Sequence, residues 1–409
     1  MPTSRGRKGF AMNTTLTLTA HDPIVARDGR PFGIGQGNRM RGLGWPYPSV
    51  VAGSLRTALG KAADLQFTPA DSKRLFDVEV AGVFPVVDGK TLYLPAPADC
   101  VAEEVIEQVD GKPEKRLVAH RAMPPATDAA DEGCDWPEGA ALRPVVIAKE
   151  DDFKPKDTPA WWPVERFAEW LTCVSVKFDE SFLLAAKMET RDHVQLDADS
   201  GAAAESRLFA TSGLSVTHLP RHQAKPETGH KPSFHDRMAE VTLAARVRAD
   251  GWPAMEKFDT WHPLGGERRL IHWANCADAE LWKCPGAVAT SLAKANRVRM
   301  VLATPAIFEH GWRPGWLNDQ LEGTPPGCEL KLRLVGVCIP RWKAVSGWSL
   351  AEPRGPKPVR RLVPAGGAYF FEMVGSDTAL SLEKRWLEPV SDNEQARRDG
   401  FGLAVWGTW

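Results

Sequence analysis

Tyrosine is scarce in this sequence, three residues in 409, and no apolar run approaches the roughly 18 residues of a membrane span. Segments such as Phe182–Ala186 and Val145–Ala148 are the size of core strands. No CxxC occurs: the seven cysteines (100, 134, 173, 276, 284, 328 and 338) are odd in number and scattered. Reduced thiols and a cytoplasmic location are therefore expected. Residues 1–11 carry no apolar stretch of signal-peptide type and read as a disordered tail, and Met12 offers a second start. Neither sign of charge dominates, with Lys+Arg 51 against Asp+Glu 52. That balance excludes a polycation coating nucleic acid by bulk charge and leaves a local basic groove open. What is abundant is proline (33), glycine (35) and tryptophan (16), which implies many short, punctuated elements and aromatic cores or binding faces. At about 150 residues per domain the length suggests two or three domains.

Thr14–Ala20 alternates polar and apolar residues, the pattern of a half-buried strand. A turn-rich stretch from His21 to Pro48 carries Arg27, Arg30, Arg39 and Arg41 against two acids, Asp22 and Asp28. Pro48-Ser49 then opens a helix with Ser49 as its cap and an apolar stripe of Val50, Val51, Leu55, Ala58 and Leu59. Val78–Val87 and Thr91–Leu94 flank Asp88-Gly89, a two-residue hairpin turn. Residues 100–160 are acidic and proline-rich and read as an insertion with mobile loops. Further strands are expected at Ser181–Glu189, Glu240–Ala249, Arg268–Trp273, Arg299–Ala303 and Glu329–Ile339, and helices at Trp162–Leu171, Ala287–Asn296 and Ala379–Trp386. The sum is an α+β class without a fixed-period repeat.

Catalytic signatures fail on spacing. Gly33-Ile34-Gly35-Gln36-Gly37 lacks the third glycine and the helix of a dinucleotide fingerprint. After Gly60-Lys61, Ala62 stands where a P-loop needs Ser or Thr. No HExxH or GxSxG is present. His272, Cys276 and Cys284 have no fourth ligand at zinc-site spacing, so a core histidine and ordinary thiols are the expectation. No metal or cofactor is expected. A metal-independent ribonuclease using His21, His193 or His218 stays open, since such cleavage needs only a positioned base and acid.

Two segments combine positive charge with rings and glycine. Arg27-Asp28-Gly29-Arg30-Pro31-Phe32 holds two guanidinium groups, a turn and an aromatic ring. Guanidinium forks suit phosphate, and a ring can stack a base for roughly 1–3 kcal/mol. The helix opening at Ser49 offers free N–H groups to an anion, with Arg56 two turns in; on spacing alone Arg56 serves equally well in a surface ion pair. Arg341–Arg361 has six basic residues (Arg341, Lys343, Arg354, Lys357, Arg360 and Arg361) against the single acid Glu352, with Trp342 and Trp348 between them, and leads to Gly366-Gly367. This is either a single-stranded RNA groove or a solvated loop.

The stretches RDGRPF (27–32), PSVVAGSLRTALG (48–60), KMETRDHVQLDADSGAAAESRLF (187–209), LGGERRL (264–270), LATPAIFEHGWRP (302–314), GPKPVRRLVPAGGAYFFE (355–372) and GFGLAVWGTW (400–409) occur in order along nearly the whole chain. In these the sequence resembles the RAMP-superfamily third subunit of Cmr-type, type III-B CRISPR effector complexes. The resemblance implies two ferredoxin-like (RRM-related) domains with β-hairpin and loop insertions: residues 12–255 with an insertion at about 100–170, and residues 256–409 with glycine-rich loops. It implies a non-catalytic subunit that grips the 5′ tag of the CRISPR RNA, docks the large polymerase-like signature subunit and meets the backbone RAMP subunits. The alternative is a RAMP-type CRISPR RNA processing endoribonuclease. By position, the resemblance implies RNA contacts from Arg27, Asp28, Arg30, Ser49, Arg56, Glu189, Arg191, His193, Gly366 and Gly367; Phe32, Lys357, Arg360 and Arg361 are expected to join them from the ring and charge they carry. Gly265-Gly266-Glu267-Arg268 is not the GGDD metal site of the large subunit. Residues 100–160 have no counterpart in that pattern.

Overall fold

The computed structural model describes residues 13–28, 38–109, 111–125, 142–149, 151–173, 175–222, 233–276, 280–349, 354–375 and 378–409. The expected tail at 1–11 lies outside them. In chain order come β1 (Asn13–Ala20), β2 (Asn38–Arg39), α1 (Pro48–Ala62), α2 (Pro69–Phe76), β3 (Glu79–Val87), β4 (Thr91–Pro95), β5 (Cys100–Val109), β6 (Lys112–Met123), β7 (Val146–Ile147) and β8 (Trp161–Pro163). Next are α3 (Val164–Thr172), β9 (Ser175–Lys177), β10 (Lys187–Leu196), β11 (Ala203–Ser215), β12 (His218–Pro220), α4 (Phe234–Arg237), β13 (Met238–Arg248), β14 (Asp259–Pro263) and β15 (Leu270–Cys276). The remainder is α5 (Gly286–Leu292), β16 (Arg297–Leu302), β17 (Glu322–Gly323), β18 (Leu332–Cys338), β19 (Lys343–Ser349), β20 (Gly355–Leu362), β21 (Ala368–Met373), β22 (Glu388–Pro389), α6 (Glu394–Arg398) and β23 (Leu403–Thr408). The chain is thus α+β with strands in the majority. No helix among the described residues is long and apolar enough to cross a membrane.

Two large sheets organise the molecule. The first runs β14-β15-β1-β13-β3-β4-β8, with β12 beside β13. Its inner face carries Leu16, Leu18, Leu243 and Trp273, which pack with Val51, Leu55 and Leu59 of α1. The second runs β17-β18-β21-β16-β23-β22, and its Leu334, Phe370, Val405 and Trp406 share a core with α3, α5 and Trp162. The first sheet takes its outer strands, β14 and β15, from beyond residue 255.

Local chemistry explains several elements. Asp88 and Gly89 both have positive φ (52° and 66°), as a type I′ turn requires, but Val87 lies opposite Thr91, so the connection has three residues instead of the two expected. In α1 the expected stripe is buried at Val51, Leu55, Ala58 and Leu59, while Val50 is only half-buried. Other expectations need correction. Strands β5 and β6 pair as a long hairpin whose charges meet across strands, Lys115 with Glu104 at 2.8 Å and Lys177 of β9 with Glu107 at 2.6 Å. The strand expected at Ser181–Glu189 begins only at Lys187, because Phe182 and Leu183 turn inward and are fully buried. Ala379–Arg385 is a 3₁₀ helix.

Candidate nucleic-acid interface

After β1 the chain crosses the end of the β10–β11 hairpin. Ile24 bridges Leu214, Val25 bridges Gly265, and the Gly266 N–H donates to the Val25 carbonyl at 2.6 Å. A Cβ on Gly265 (φ +77°) would lie 2.2 Å from that carbonyl, so only glycine permits the approach. Arg27 bridges Gly42, and the Asp28 N–H donates to the Arg41 carbonyl at 3.2 Å. β2 lies parallel to β11, with Asn38 opposite Phe209 and Arg39 opposite Ala210. Along residues 39–41 the arginines are exposed and Met40 is buried, a strand alternation that turns both guanidinium groups outward. Arg27 is exposed beside them. Arg30 and Phe32 lie outside the described residues.

The second expected motif reaches the same three-stranded sheet. On β10, Arg191 pairs with Glu189 two residues earlier, and its guanidinium is held above the usual arginine value chiefly by that hydrogen bond. The His193 imidazole bonds Thr211 Oγ1 at 2.8 Å and stacks on Phe209, with ring centroids 5.0 Å apart and planes 14° from parallel.

The basic hairpin β19–β20 docks against the next part of the arginine-rich segment. Its inward residues Val345 and Leu362 pack with Tyr47, Ile307, Ala396 and Phe401, and Leu43 and Val50 close the cluster. Tyr47 Oη donates to the Ala344 carbonyl at 3.4 Å. Burial, and secondarily the charge of Asp28, push the Tyr47 phenol above its ordinary value. Lys357, Arg361, Trp342 and Trp348 are exposed, while Lys343 and Arg360 share the face of Val345 and Leu362 by register, Lys343 exposed and Arg360 half-buried. The Arg361 guanidinium sits 4.8 Å from the Trp342 ring centroid. Among the described residues, no ion pair holds Arg27, Arg39, Arg41, Lys343, Lys357 or Arg360. Tyr47 and Leu43 therefore join two basic surfaces that lie some 300 residues apart in sequence.

Three expected residues are turned inward, and a fourth, Ser49, is half-buried without the capping role expected of it. Arg56 is 6% exposed: its Nη1 meets Asp399 Oδ1 at 2.5 Å, and Nε and Nη2 donate to the Val78 carbonyl at 3.2 and 2.7 Å. It clamps no phosphate, because its donors are spent inside the protein. Ser49 is not the helix cap; α1 starts at Pro48 with Tyr47 before it, and both are buried. Gly366 and Gly367 are buried as well. Gly366 (φ +88°) would bring a Cβ within 2.3 Å of the Ala96 carbonyl, and its own carbonyl accepts from the Ala98 N–H at 2.8 Å. That glycine lets two chain segments touch, as does Gly400 (φ +91°), where a Cβ would lie 2.4 Å from the Val80 carbonyl.

Arg39, Arg41 and the exposed Arg268 belong to none of the expected contact residues. For the first pair the signal was present as alternation across Arg39-Met40-Arg41. The three histidines of the ribonuclease reading sit on different elements: His21 follows β1, His193 is on β10 and His218 on β12. His272 hydrogen-bonds Asp259 at 2.8 Å, and no group of three or more His, Cys, Asp or Glu among the described residues is placed to hold a metal ion.

The model of the family described as CRISPR-associated protein (Cas_Cmr3) matches residues 16–409. Among solved structures, a chain of the type III-B Cmr-beta complex bound to cognate target RNA and AMPPnP matches at 12% identity and a TM-score of 0.44, covering 87% of this chain and 86% of that one. A chain of the same complex bound to cognate target RNA matches at 11% identity and a TM-score of 0.45, again with 87% and 86% covered. A chain of the Csm3–Csm4 subcomplex of the type III-A interference complex matches at 9% identity and a TM-score of 0.31, covering 89% and 94%. No curated protein matches the chain.

Proposed function

The chain belongs to the CRISPR-associated Cas_Cmr3 family, as a type III-B effector subunit of Cmr type, and from that premise we propose that it is a non-catalytic RNA-binding scaffold. It grips the 5′ tag of the CRISPR RNA, docks the large polymerase-like subunit and contacts the backbone RAMP subunits. In this reading the two large sheets are the centres of two ferredoxin-like, RRM-related domains.

The observation that carries the proposal is the junction at Tyr47. Tyr47 and Leu43, on the segment that follows Arg39 and Arg41, pack with Val345 and Leu362 of the hairpin that carries Lys343, Lys357, Arg360 and Arg361. Cations outside internal ion pairs track a phosphate backbone, while Trp342, Trp348 and the His193–Phe209 stack offer faces to bases. A fixed arrangement of these groups gives one end of a guide a single register. Glu189 tempers Arg191, so the weight of phosphate binding falls on Arg27, Arg39 and Arg41.

The test is the salt dependence of guide-RNA binding. For a single strand, removing one cation–phosphate pairing lowers the slope of log K against log salt by about 0.7. Arg27→Ala with Arg39→Ala should lower it by about 1.4, and Lys357→Ala with Arg360→Ala by a similar amount. An unchanged slope in both double variants would remove the clamp. The protein should cleave neither repeat nor target RNA; cleavage abolished by His193→Ala would instead establish the endoribonuclease.

A further inference from the structure

The face of the first sheet opposite α1 is covered unevenly. Near β13 it is closed by Trp282, whose Nε1 donates to Thr15 Oγ1 at 3.1 Å and whose ring lies 5.4 Å from the Arg246 guanidinium. Two pairs further along β1 the cover ends. Thr19 is exposed, His272 opposite it is half-buried, and Trp261 opposite His272 on edge strand β14 is 55% exposed. Trp261, His272 and Thr19 thus form one row across three strands, facing solvent.

The indole is braced. The His272 ring lies 4.8 Å from it at 32°, and the His21 ring 5.8 Å away at 87°. His272 is itself held by the 2.8 Å bond to Asp259. An aromatic ring held in place before binding loses little freedom when a partner stacks on it.

We propose that Trp261, braced by His272 and His21, is a stacking platform for one unpaired nucleobase of the bound RNA. The inference rests on the RNA-binding reading above and adds a subsite to it. Continuity with the arginine surface supports it. The N–H groups of His21 and Asp22 both donate to the Leu270 carbonyl, at 3.0 and 3.4 Å, and the chain continues through the bridges at Ile24 and Val25 to Arg27. Six extended residues reach at most about 20 Å, the length of a few nucleotides. Local chemistry favours a base over a phosphate, because the groups in ring contact with Trp261 are the imidazoles of His21 and His272, the latter held by the Asp259 carboxylate. It also disfavours a protein partner: the row is completed by Thr17, Thr19 and Ala274 rather than by the broad apolar surface of a protein hot spot. An open sheet face bearing an aromatic ring is the geometry by which RRM-type sheets stack bases.

The experiment uses the full chain and a single-stranded oligoribonucleotide of the 5′ tag sequence, scanned with single abasic substitutions. Trp261→Ala should weaken binding by about 5- to 150-fold, the equivalent of one base stack, and Trp261→Phe should retain most of the affinity. The salt slope should stay at the wild-type value in both. One abasic position should cost the same factor with wild type and nothing further with Trp261→Ala, since both remove the same stack. If wild type binds the RNA and Trp261→Ala binds it equally, or no abasic position couples to the substitution, the platform is wrong. A lowered slope would overturn it too, by tying the ring to phosphate. Failure of the wild type to bind any single-stranded RNA would instead remove the parent reading.

Discussion

Replacing Arg56 separates a phosphate clamp from an internal strut. In the structure its guanidinium joins α1 to Asp399 at 2.5 Å, to the Val78 carbonyl at 3.2 and 2.7 Å and to the Arg398 carbonyl at 3.2 Å. The side chains of Arg56 and Asp399 are 7% and 8% exposed, so solvent screens the pair little. Arg56→Met leaves the Asp399 carboxylate with only the Gln395 amide at 2.9 Å among its side-chain partners. Breaking a buried pair by removing one partner costs about 3–5 kcal/mol. In an unfolding unit of roughly 150–250 residues that lowers Tm by about 6–20 °C. The double variant Arg56→Met/Asp399→Leu should recover a large part of the loss, because no uncompensated charge stays buried. Urea unfolding gives the free energies, and RNA titrations at several salt concentrations give the slope, which should match wild type in the folded single variant. A loss below about 1 kcal/mol, or a slope reduced by about 0.7, would refute the assignment of Arg56 to the interior.

Other outcomes follow from the same geometry. Gly366→Ala places a Cβ 2.3 Å from the Ala96 carbonyl at φ +88°; it should destabilise by about 1–3 kcal/mol from backbone strain alone, and thermal unfolding should show the loss without a change of salt slope. His222 and His262 are held below the ordinary histidine value of 6.5, chiefly by burial. The unfolded chain therefore binds protons that the folded chain refuses. Their contribution is complete above pH 6.5 and is lost as pH falls toward the lowered folded values. Stability should begin to drop below about pH 6.5, well above the range in which paired carboxylates titrate, and His222→Phe should flatten that part of the profile. A stability profile level from pH 7.5 to 5 would contradict it.

Much of the framework was legible in the sequence. Alternation located β1, turn chemistry located the β3–β4 hairpin, and a helical stripe located α1, because each depends on side chains only a few residues apart. The hairpin β5–β6 was not legible. Its Glu104 and Lys115 look like a polar insertion until the strands align and the charges meet. The same limit governed the site. Arginine density marked residues 27–41 and 341–361 as basic, but which cations stay free depends on partners that sequence spacing does not reveal.

Composition and local pattern by themselves determined the α+β class, the strand-rich order and the two cationic segments. Tertiary structure decided the allegiance of individual groups: Arg56 turned inward to Asp399, Gly366 closed on Ala96, and Tyr47 joined the two basic surfaces. The reason is one of range. Torsional preference and amphipathic period act over a few residues, whereas an ion pair or a close glycine approach is settled when segments hundreds of residues apart pack together.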